Sequence, residues 1–347
     1  MEPKIKILIV DDAAMVCKIL THELAKDPAL EVVGAAADVF IARELITRLK
    51  PDVLLLDIEM PQMDGLTFLE QLMINCPMPV IIVSSLAKEG APAALRALEL
   101  GAAEVIAKPG PSYSVKDMTK QLTEKIKAVI QLKPVRHFLA QTAGPVLALP
   151  QKAKEAAAGK VIAIGAATGG PEAIASILKR LPDGMPPILI VQHMPPDLVK
   201  VFAEQLGRIC ALEVKEAEPG EALAPGKVLL APGNKHIVFQ RGREGYFVAV
   251  KTGPLVFRQR PSIEVLFRSV AMYAGKEAIG VILTGMGKDG VQGLLDMKKA
   301  GAFTIAQDEA SSAVYGMPKE ALTIGAVTKL TALEEIPQIL IDHLFVV

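Results

Sequence analysis

The stretch "VIAIGAATGGPEAIASIL", residues 161–178, decides how the second half of this 347-residue chain folds. An apolar run from Val161 to Ile164 is followed at once by a glycine-rich turn, and then by a helical pattern that opens with Pro171. Proline suits the first helical turn because its missing N–H would have no partner there. A strand, a tight turn and a helix in this order predict an α/β fold with a parallel sheet.

Similar apolar runs recur along the whole chain, and they are continuous rather than alternating, as expected for parallel strands covered on both faces. The first group of predicted strands spans 6–10, 31–36, 52–57, 79–84 and 104–108. The second group spans 161–166, 188–193, 227–232, 279–285 and 302–308, with an antiparallel hairpin within 236–250. We therefore predict two doubly wound α/β domains, at 1–132 and 160–347, joined by an interdomain linker with some helix at 133–159.

Composition narrows the class of protein. Hydrophobic residues make up 51% of the chain, enough for two cores, and the formal net charge is zero, which argues against nucleic-acid or anionic-membrane binding. The N-terminus reads as a strand followed by acids, rather than as a signal peptide. Cys17, Cys76 and Cys210 are far apart and lack metal-ligand spacing, as in reduced thiols. We expect a monomeric cytoplasmic protein without a membrane-inserted segment.

The first domain carries polar side chains where its predicted strands end. Asp11 and Asp12 follow the first strand, Asp57 the third, Ser84 the fourth and Lys108 the fifth. In open α/β sheets, ligands bind beyond these strand ends. Crowded carboxylates repel one another, and Mg²⁺ with oxygen ligands relieves that repulsion. A carboxylate can also attack a phosphoryl group and carry it as an acyl phosphate. The "KP" pair at 108–109 predicts a cis-proline turn that aims the lysine inward.

The stretches "ILIVDD", "LLLDIEMPQMDG", "VSS" and "AKPG" resemble the receiver domain of bacterial two-component response regulators, over about residues 4–130. The resemblance implies a flavodoxin-like five-stranded parallel sheet. It also implies that Asp57 accepts phosphate from a histidine kinase, and that Asp11, Asp12 and Asp57 hold Mg²⁺. Ser84 and Lys108 would then sense the phosphorylated state.

The second domain shows the pattern of a catalytic triad with a gap. "GAATG" at 165–169 fits the motif G-x-S-x-G except at its centre, Ala167. His193 ends a predicted strand, and Asp289 lies in the glycine-rich loop "TGMGKDG". Taken singly, these two residues fit a core histidine and a turn-forming aspartate. Together at strand ends they predict a general base oriented by a carboxylate, the usual support of a serine nucleophile.

The stretches "IGAATGGPEA", "VQHMPP", "RPSIEVLFRSVA", "LTGMGKDG" and "AQDEASSAVYGMPKEA" resemble the chemotaxis protein-glutamate methylesterase (CheB) family. The resemblance implies a carboxylic ester hydrolase that removes methyl groups from chemoreceptor glutamates and deamidates receptor glutamines. It places catalysis at position 167, His193 and Asp289, with the Met286 N–H and Thr168 supporting the oxyanion. It implies a chemotaxis histidine kinase and methyl-accepting chemoreceptors as partners, and control by the receiver, which covers the catalytic face until it is phosphorylated.

Position 167 departs from this family, which has serine there. A methyl group cannot form an acyl-enzyme, so we expect this chain to be inactive. Thr168 is adjacent but points elsewhere along a tight turn, and a water activated by His193 would react slowly. The alternative is a non-catalytic binding module under phosphorylation control, and restoring serine discriminates between the two. A DNA-binding response regulator is excluded, because a neutral α/β domain follows the receiver in place of a short basic helix-turn-helix.

Overall fold

The computed structural model describes residues 3–60, 64–85, 90–109, 115–130, 144–149, 157, 159–243 and 245–345. The chain divides into two compact units, Met1–Gln141 and Thr142–Val347. Most of the predicted linker at 133–159, including its predicted helical part, lies outside the described residues. Within the part described, the Leu147 N–H donates to the Arg180 carbonyl oxygen at 2.9 Å, so this short segment is attached to the second unit.

The first unit is a parallel sheet in the order β2-β1-β3-β4-β5, flanked by helices. Its strands are β1 (Ile5–Val10), β2 (Leu30–Ala36), β3 (Val53–Leu56), β4 (Val80–Ser84) and β5 (Glu104–Ala107). Its helices are α1 (Ala14–Leu24), α2 (Val39–Leu49), α3 (Gly65–Asn75), α4 (Ala91–Glu99) and α5 (Val115–Val129). The predicted five-stranded doubly wound sheet is confirmed.

Local sequence explains where these elements begin. All four residues of β3 are buried, as a strand covered on both faces requires. The Asp38 carboxylate accepts the N–H groups of Phe40 and Ile41, both at 2.8 Å, and thereby caps α2. Asp64 caps α3 in the same way, by accepting the Thr67 N–H at 2.7 Å.

The second unit contains a seven-stranded parallel sheet in the order β15-β14-β13-β6-β7-β10-β8, and a small antiparallel sheet in the order β11-β12-β9. The strands are β6 (Val161–Ala166), β7 (Ile188–Gln192), β8 (Glu213–Glu216), β9 (Glu221–Ala222), β10 (Lys227–Leu230), β11 (His236–Arg241), β12 (Tyr246–Lys251), β13 (Ala278–Ile282), β14 (Phe303–Gln307) and β15 (Lys329–Thr331). The helices are α6 (Gly170–Leu178), α7 (Pro196–Ile209), α8 (Ile263–Tyr273), α9 (Val291–Lys299), α10 (Met317–Thr323) and α11 (Ile336–Phe345).

The fold differs from the sequence prediction mainly at the sheet edges and strand ends. The edge strands β8 and β15 were not predicted, because "EVKE" and "KLT" are short and carry charged residues. The predicted strands at 188–193 and 279–285 end earlier, at Gln192 and Ile282. As a result, His193 lies in the loop that follows its strand.

In each large parallel sheet, the chain first adds strands on one side of the starting strand and later adds strands on its other side. The boundary between the two sides is called the reversal point here. In the first unit this point lies between β1 and β3, and in the second between β6 and β13. Loops at the carboxyl ends of the two strands diverge there, which opens a crevice suited to ligands.

A bilayer-spanning helix needs about 20 mostly apolar residues, and none of the helices that the structure describes meets the requirement.

Candidate functional site

His193 and Asp289 are joined directly in the second unit. The Nε2 atom of His193 lies 2.8 Å from Oδ2 of Asp289, and both side chains are buried. His193 follows β7, and Asp289 lies in the loop that follows β13. The structure therefore brings together the two residues that the sequence predicted as base and carboxylate. Because Nε2 is engaged by Asp289, Nδ1 is the ring nitrogen left to exchange a proton with another group.

Ala167 is the first residue after β6, at the reversal point of the sheet. Its N–H donates to the Thr284 carbonyl oxygen at 3.0 Å, and its carbonyl oxygen accepts from Nε2 of Gln192 at 2.8 Å. The His193 N–H donates to the carbonyl oxygen of Ala166 at 3.0 Å. These bonds fix the backbone of position 167 beside that of His193, so a side chain at position 167 begins next to the histidine.

The glycines around Ala167 are required by the backbone, whatever residue stands at the centre of the motif. Gly169 has φ of 76°, in the left-handed region, and a Cβ there would lie 2.4 Å from Cβ of Ala313. A Cβ at Gly285 would lie 2.6 Å from the Cβ of Ala167. The turn that usually carries a nucleophile is therefore built in full, with a methyl group in the nucleophile's place.

Asp289 is held by four donors. Besides His193, Oδ1 accepts from Ser262 Oγ at 2.6 Å and from the Glu264 N–H at 3.0 Å, and Oδ2 accepts from the Ile263 N–H at 2.8 Å. Asp289 thus caps the N-terminus of α8 from a distant part of the chain. Burial alone would raise the pKa of this carboxyl, but the bonds from His193 and Ser262 and from the backbone lower its pKa below that of an ordinary aspartate. The carboxylate therefore stays ionised beside the imidazole.

Sequence reasoning missed the residues that position this pair. Ser262 stands where the N-cap of α8 is expected, but its hydroxyl bonds Asp289 instead of its own helix. Behind it, Nδ1 of the buried His236 lies 3.2 Å from the Ser262 nitrogen, while Nε2 lies 3.0 Å from the Pro254 oxygen. This pattern requires a neutral His236 that accepts at Nδ1 and donates at Nε2. A serine before a helical pattern predicts a helix cap. Nothing in the sequence indicates that its hydroxyl donates to an aspartate in another loop.

The two residues expected to support an oxyanion are Thr168, which follows Ala167 in the chain, and Met286. Thr168 is buried, and its carbonyl oxygen accepts from Oγ1 of Thr284 at 2.9 Å. Met286 follows Gly285, which abuts Ala167, and the Met286 side chain is 44% exposed. Among the residues that the structure describes, no acceptor is paired with the Met286 N–H. Its expected role as an oxyanion donor stays a prediction.

A second cluster of polar residues lies at the reversal point of the first sheet. Asp11, Asp12 and Asp57 each offer a carboxylate oxygen, and these oxygens lie within 4.8 Å of one another. The Nζ of Lys108 lies 2.6 Å from Oδ2 of Asp57 and 2.8 Å from Oδ2 of Asp11. Asp11 and Asp57 are buried, whereas Asp12 is exposed, so the cluster opens to solvent on one side. Three convergent carboxylates are the hard oxygen ligands that suit Mg²⁺.

Charge and burial act together on this cluster. Burial raises the pKa of Asp57 above the ordinary aspartate value, although the hydrogen bond from Lys108 acts in the opposite direction. Burial tends to lower the pKa of Lys108, but its bonds to Asp11 and Asp57 raise that pKa overall. Ser84 is fully buried, and its Oγ has no partner among the described residues. A buried hydroxyl without a partner is unusual and marks a place for a further acceptor.

The predicted cis-proline at 108–109 is wrong. The cis peptide bond of the described residues is Arg260–Pro261. The Lys108 N–H donates to the Ser84 carbonyl oxygen at 2.9 Å, which continues the pairing of β4 with β5 past the end of the strand. The direction of the strand therefore aims Lys108 at the carboxylates, and no cis bond is needed.

The two sites together indicate the class of protein. One α/β unit carries a carboxylate cluster of the kind that accepts phosphoryl groups, and the other carries a histidine–aspartate pair of the kind found in hydrolases. The family model for the CheB methylesterase matches residues 162–340, and the model for the response regulator receiver domain matches residues 7–120. The chain belongs to the CheB methylesterase family and carries an N-terminal receiver domain.

Similar proteins span nearly the whole chain. The protein-glutamate methylesterase/protein-glutamine glutaminase 2 of Syntrophus aciditrophicus is 54% identical over 333 residues, which cover 96% of this chain and 97% of that protein. The protein of the same description from Hahella chejuensis is 47% identical and covers 99% of this chain and 97% of its own. The crystal structure of the Thermotoga maritima CheB methylesterase catalytic domain is 37% identical, with a TM-score of 0.53, and covers 54% of this chain and 99% of that one. The family expected from the sequence is confirmed.

Proposed function

We propose that this chain is a phosphorylation-controlled chemotaxis methylesterase and glutaminase whose nucleophile position holds Ala167. Its substrates would be methyl esters of chemoreceptor glutamates and amides of receptor glutamines, as the names of its relatives indicate. The observation that carries the proposal is the His193–Asp289 hydrogen bond, together with the bond from the His193 N–H to the carbonyl oxygen of Ala166, the residue before position 167. The sequence-based limits of 1–132 for the receiver, 133–159 for the linker and 160–347 for the catalytic domain are part of the proposal.

With a hydroxyl at position 167, the residues present perform acyl transfer. The hydroxyl oxygen attacks the ester carbonyl while Nδ1 of His193 takes its proton, and Asp289 stabilises the resulting imidazolium. We propose that the N–H of Met286 and the start of α6 next to Thr168 would stabilise the developing oxyanion. As the tetrahedral intermediate collapses, the imidazolium would protonate the methoxide oxygen, which leaves as methanol, or the amide nitrogen, which leaves as ammonia. Water, deprotonated by the same nitrogen, hydrolyses the acyl-enzyme.

Ala167 has neither the attacking oxygen nor the proton that His193 would remove. Loss of a triad nucleophile lowers turnover by about 10⁶. The remaining site still exceeds the uncatalysed reaction by roughly 10³–10⁴, through binding and oxyanion stabilisation. We therefore propose that this chain binds receptor esters and hydrolyses them at a negligible rate.

The receiver would control access to this site. Asp57 would accept the phosphoryl group from a chemotaxis histidine kinase, with Asp11, Asp12 and Asp57 as the ligands of Mg²⁺. When bound, the ion offsets the negative charge of the carboxylates and the incoming phosphate. Ser84 and Lys108 would bind phosphate oxygens, which fits the Ser84 hydroxyl, for which no partner is found in the part of the chain that the structure describes. We propose that the chain works in the cytoplasm as a monomer, and that phosphorylation uncovers its catalytic face.

Ala167 itself favours a second candidate. A protein with an intact receiver and an ester-binding site without a nucleophile would act as a binding module, which competes for kinase phosphate or shields methylated receptor. The two candidate functions predict different results for the Ala167→Ser variant: ester hydrolysis returns if the chain is an esterase without its nucleophile, and does not return if the chain is a binding module.

The test compares the unaltered chain with its Ala167→Ser variant, by mass spectrometry of the methylated receptor after incubation. Loss of the methyl mass only with the variant supports the esterase framework. Retention of the methyl groups with both proteins contradicts it, and leaves binding as the function.

A further inference from the structure

A strained turn lies close in sequence to the residues that hold Asp289. In the 252–260 loop, the Val256 N–H donates to the Gln259 oxygen at 3.1 Å, and the Gln259 N–H donates to the Val256 oxygen at 2.9 Å. The two residues between them, Phe257 and Arg258, have φ of 49° and 62°. A two-residue turn with both φ values positive is the type I′ turn, which Asn-Gly favours. A bulky aromatic in that region is strained, and such strain collects at functional sites.

The turn exposes side chains that proteins usually bury. Phe257 is 52% exposed and Leu255 is 59% exposed. Arg258 is exposed at the same tip. Exposed apolar groups next to a positive charge are typical of a surface that binds a partner.

The loop is held by hydrogen bonds to residues that are next to the candidate catalytic carboxylate, Asp289. The Gly253 carbonyl oxygen accepts from Nη1 of Arg260 at 2.6 Å, and the Pro254 oxygen accepts from Nε2 of His236 at 3.0 Å. Two residues after Arg260, the Ser262 hydroxyl bonds Asp289 at 2.6 Å. The same short segment therefore presents Phe257 to solvent and positions the catalytic aspartate.

The charge of this region differs sharply from that of the chain. The whole protein has equal numbers of acidic and basic residues, 38 of each. Residues 234–261 contain six basic residues and one acidic residue, and two of the six, Arg241 and Arg243, lie at the opposite end of the β11–β12 hairpin from the loop. Lys235 and Lys251 flank the end of the β11–β12 hairpin from which the loop departs, and both are exposed. A partner that meets this surface is best matched by negative charge.

We propose that the 252–260 loop docks the receptor segment that carries the glutamyl ester, with Phe257 in contact with an apolar side chain of that segment and Arg258 beside its unesterified carboxylates. This inference rests on the proposed substrate class and assigns the part of the protein that recognises it. The occupant is an acidic polypeptide with apolar side chains. The strained backbone holds Phe257 outward in the free protein, so that less ordering is needed on binding.

The experiment removes both side chains while it improves the turn. The double variant Phe257→Asn/Arg258→Gly places the preferred Asn-Gly pair at the two left-handed positions, so its melting temperature should equal or exceed that of the unaltered chain. The control variant Met272→Ala/Lys299→Ala removes one exposed apolar side chain and one exposed lysine elsewhere on the same unit. Binding is measured with a purified, methylated cytoplasmic fragment of a chemoreceptor and the full-length unaltered chain, which has no nucleophile, and every protein is treated with Mg²⁺ and beryllofluoride.

We expect the turn variant to bind this fragment about tenfold or more weakly, as for the loss of an aromatic anchor and an arginine from an interface. The control variant should bind as the unaltered chain does. Arg258→Gly alone should weaken binding less and reduce its dependence on salt. In the Ala167→Ser background, the turn variant should raise KM for the methylated fragment and leave kcat within about twofold, because it removes binding and not chemistry.

Affinity of the turn variant within twofold of the unaltered chain would overturn the docking proposal, as would a fragment that binds neither protein. Failure of the proposed esterase would look different. The Ala167→Ser chain with its native loop would then release no methanol, and the binding comparison would still decide the role of the loop.

Discussion

Replacing Asp289 by asparagine tests the network that holds the candidate site together. Each carboxylate oxygen accepts one backbone N–H, from Glu264 at Oδ1 and from Ile263 at Oδ2. The asparagine side chain offers one oxygen and one NH₂ group, which is a donor only. Whichever way the amide is turned, one of these two backbone N–H groups faces a donor. The Ser262 hydroxyl can rotate to compensate, but the buried N–H cannot.

The size of the effect follows from these contacts. A buried N–H without an acceptor costs about 1–3 kcal/mol. Loss of the negative charge at the start of α8 costs roughly 0.3–1 kcal/mol more, and up to about 2 kcal/mol in a buried setting. We expect Asp289→Asn to lower the free energy of unfolding of the second unit by about 2–4 kcal/mol at pH 7.

The pH dependence has a definite sign. Because the folded state lowers the pKa of Asp289, its ionised form stabilises the fold above the pKa of an unfolded aspartate, about 3.9. That stabilisation is lost as the pH falls through the folded-state pKa. The difference between the unaltered chain and the variant should therefore be complete at pH 7 and shrink below about pH 4.

Urea unfolding of the full chain measures the change, and hydrogen exchange within α8 locates it. Asp342→Asn, at an exposed aspartate in α11, is the matched control and should change stability by less than about 0.5 kcal/mol. A loss below about 0.5 kcal/mol for Asp289→Asn as well would refute the reasoning, as would a difference that grows when the pH is lowered.

The remaining predictions concern activity and packing. In the Ala167→Ser background, Ser262→Ala should lower kcat about 10–100-fold with KM unchanged, because Asp289 loses a positioning bond; a larger change in KM than in kcat would contradict this in steady-state assays. Gly285→Ala should destabilise the second unit by about 1–3 kcal/mol, since its Cβ would lie 2.6 Å from Cβ of Ala167; thermal unfolding equal to that of the unaltered chain would disprove the close approach. Beryllofluoride with Mg²⁺ should accelerate methanol release by the Ala167→Ser chain, and Asp57→Asn should abolish the acceleration; equal rates with and without the analogue would argue against receiver control.

Much of the fold could be predicted because its signals are local. Runs such as "KILIV" and "VIAIGA" are too apolar and β-branched for any place but the middle of a covered sheet. The glycine-rich turn before α6 and the acidic residues after β1 and β3 follow from the same elements. Residues at the carboxyl ends of parallel strands meet at one edge of the sheet, so the sequence alone could pair His193 with Asp289.

The rest depends on contacts that sequence spacing does not show. The position of Ser262 before a helical pattern predicts that it caps the helix. Instead, Asp289 caps that helix from a loop 27 positions further along the chain, and the Ser262 hydroxyl donates a hydrogen bond to Asp289. Three of the four residues of the edge strand Glu213–Glu216 are charged and none of the four is fully buried, so its pattern lacks the apolar run of a central strand. The sequence around Phe257 contains no signal for a left-handed backbone. That conformation is seen only in the structure, where two hydrogen bonds between Val256 and Gln259 close the turn.

The most direct test of the central claim, that the site around Ala167 is a working esterase site lacking one oxygen, is the rate of methanol release from methylated receptor. The unaltered chain, the Ala167→Ser variant and the Ala167→Ser/His193→Gln double variant are compared, all treated with Mg²⁺ and beryllofluoride. The account predicts release by the serine variant alone, at a rate about 10⁶ times that of the unaltered chain, and its collapse in the double variant. A serine variant as slow as the unaltered chain, or one indifferent to His193, would contradict it.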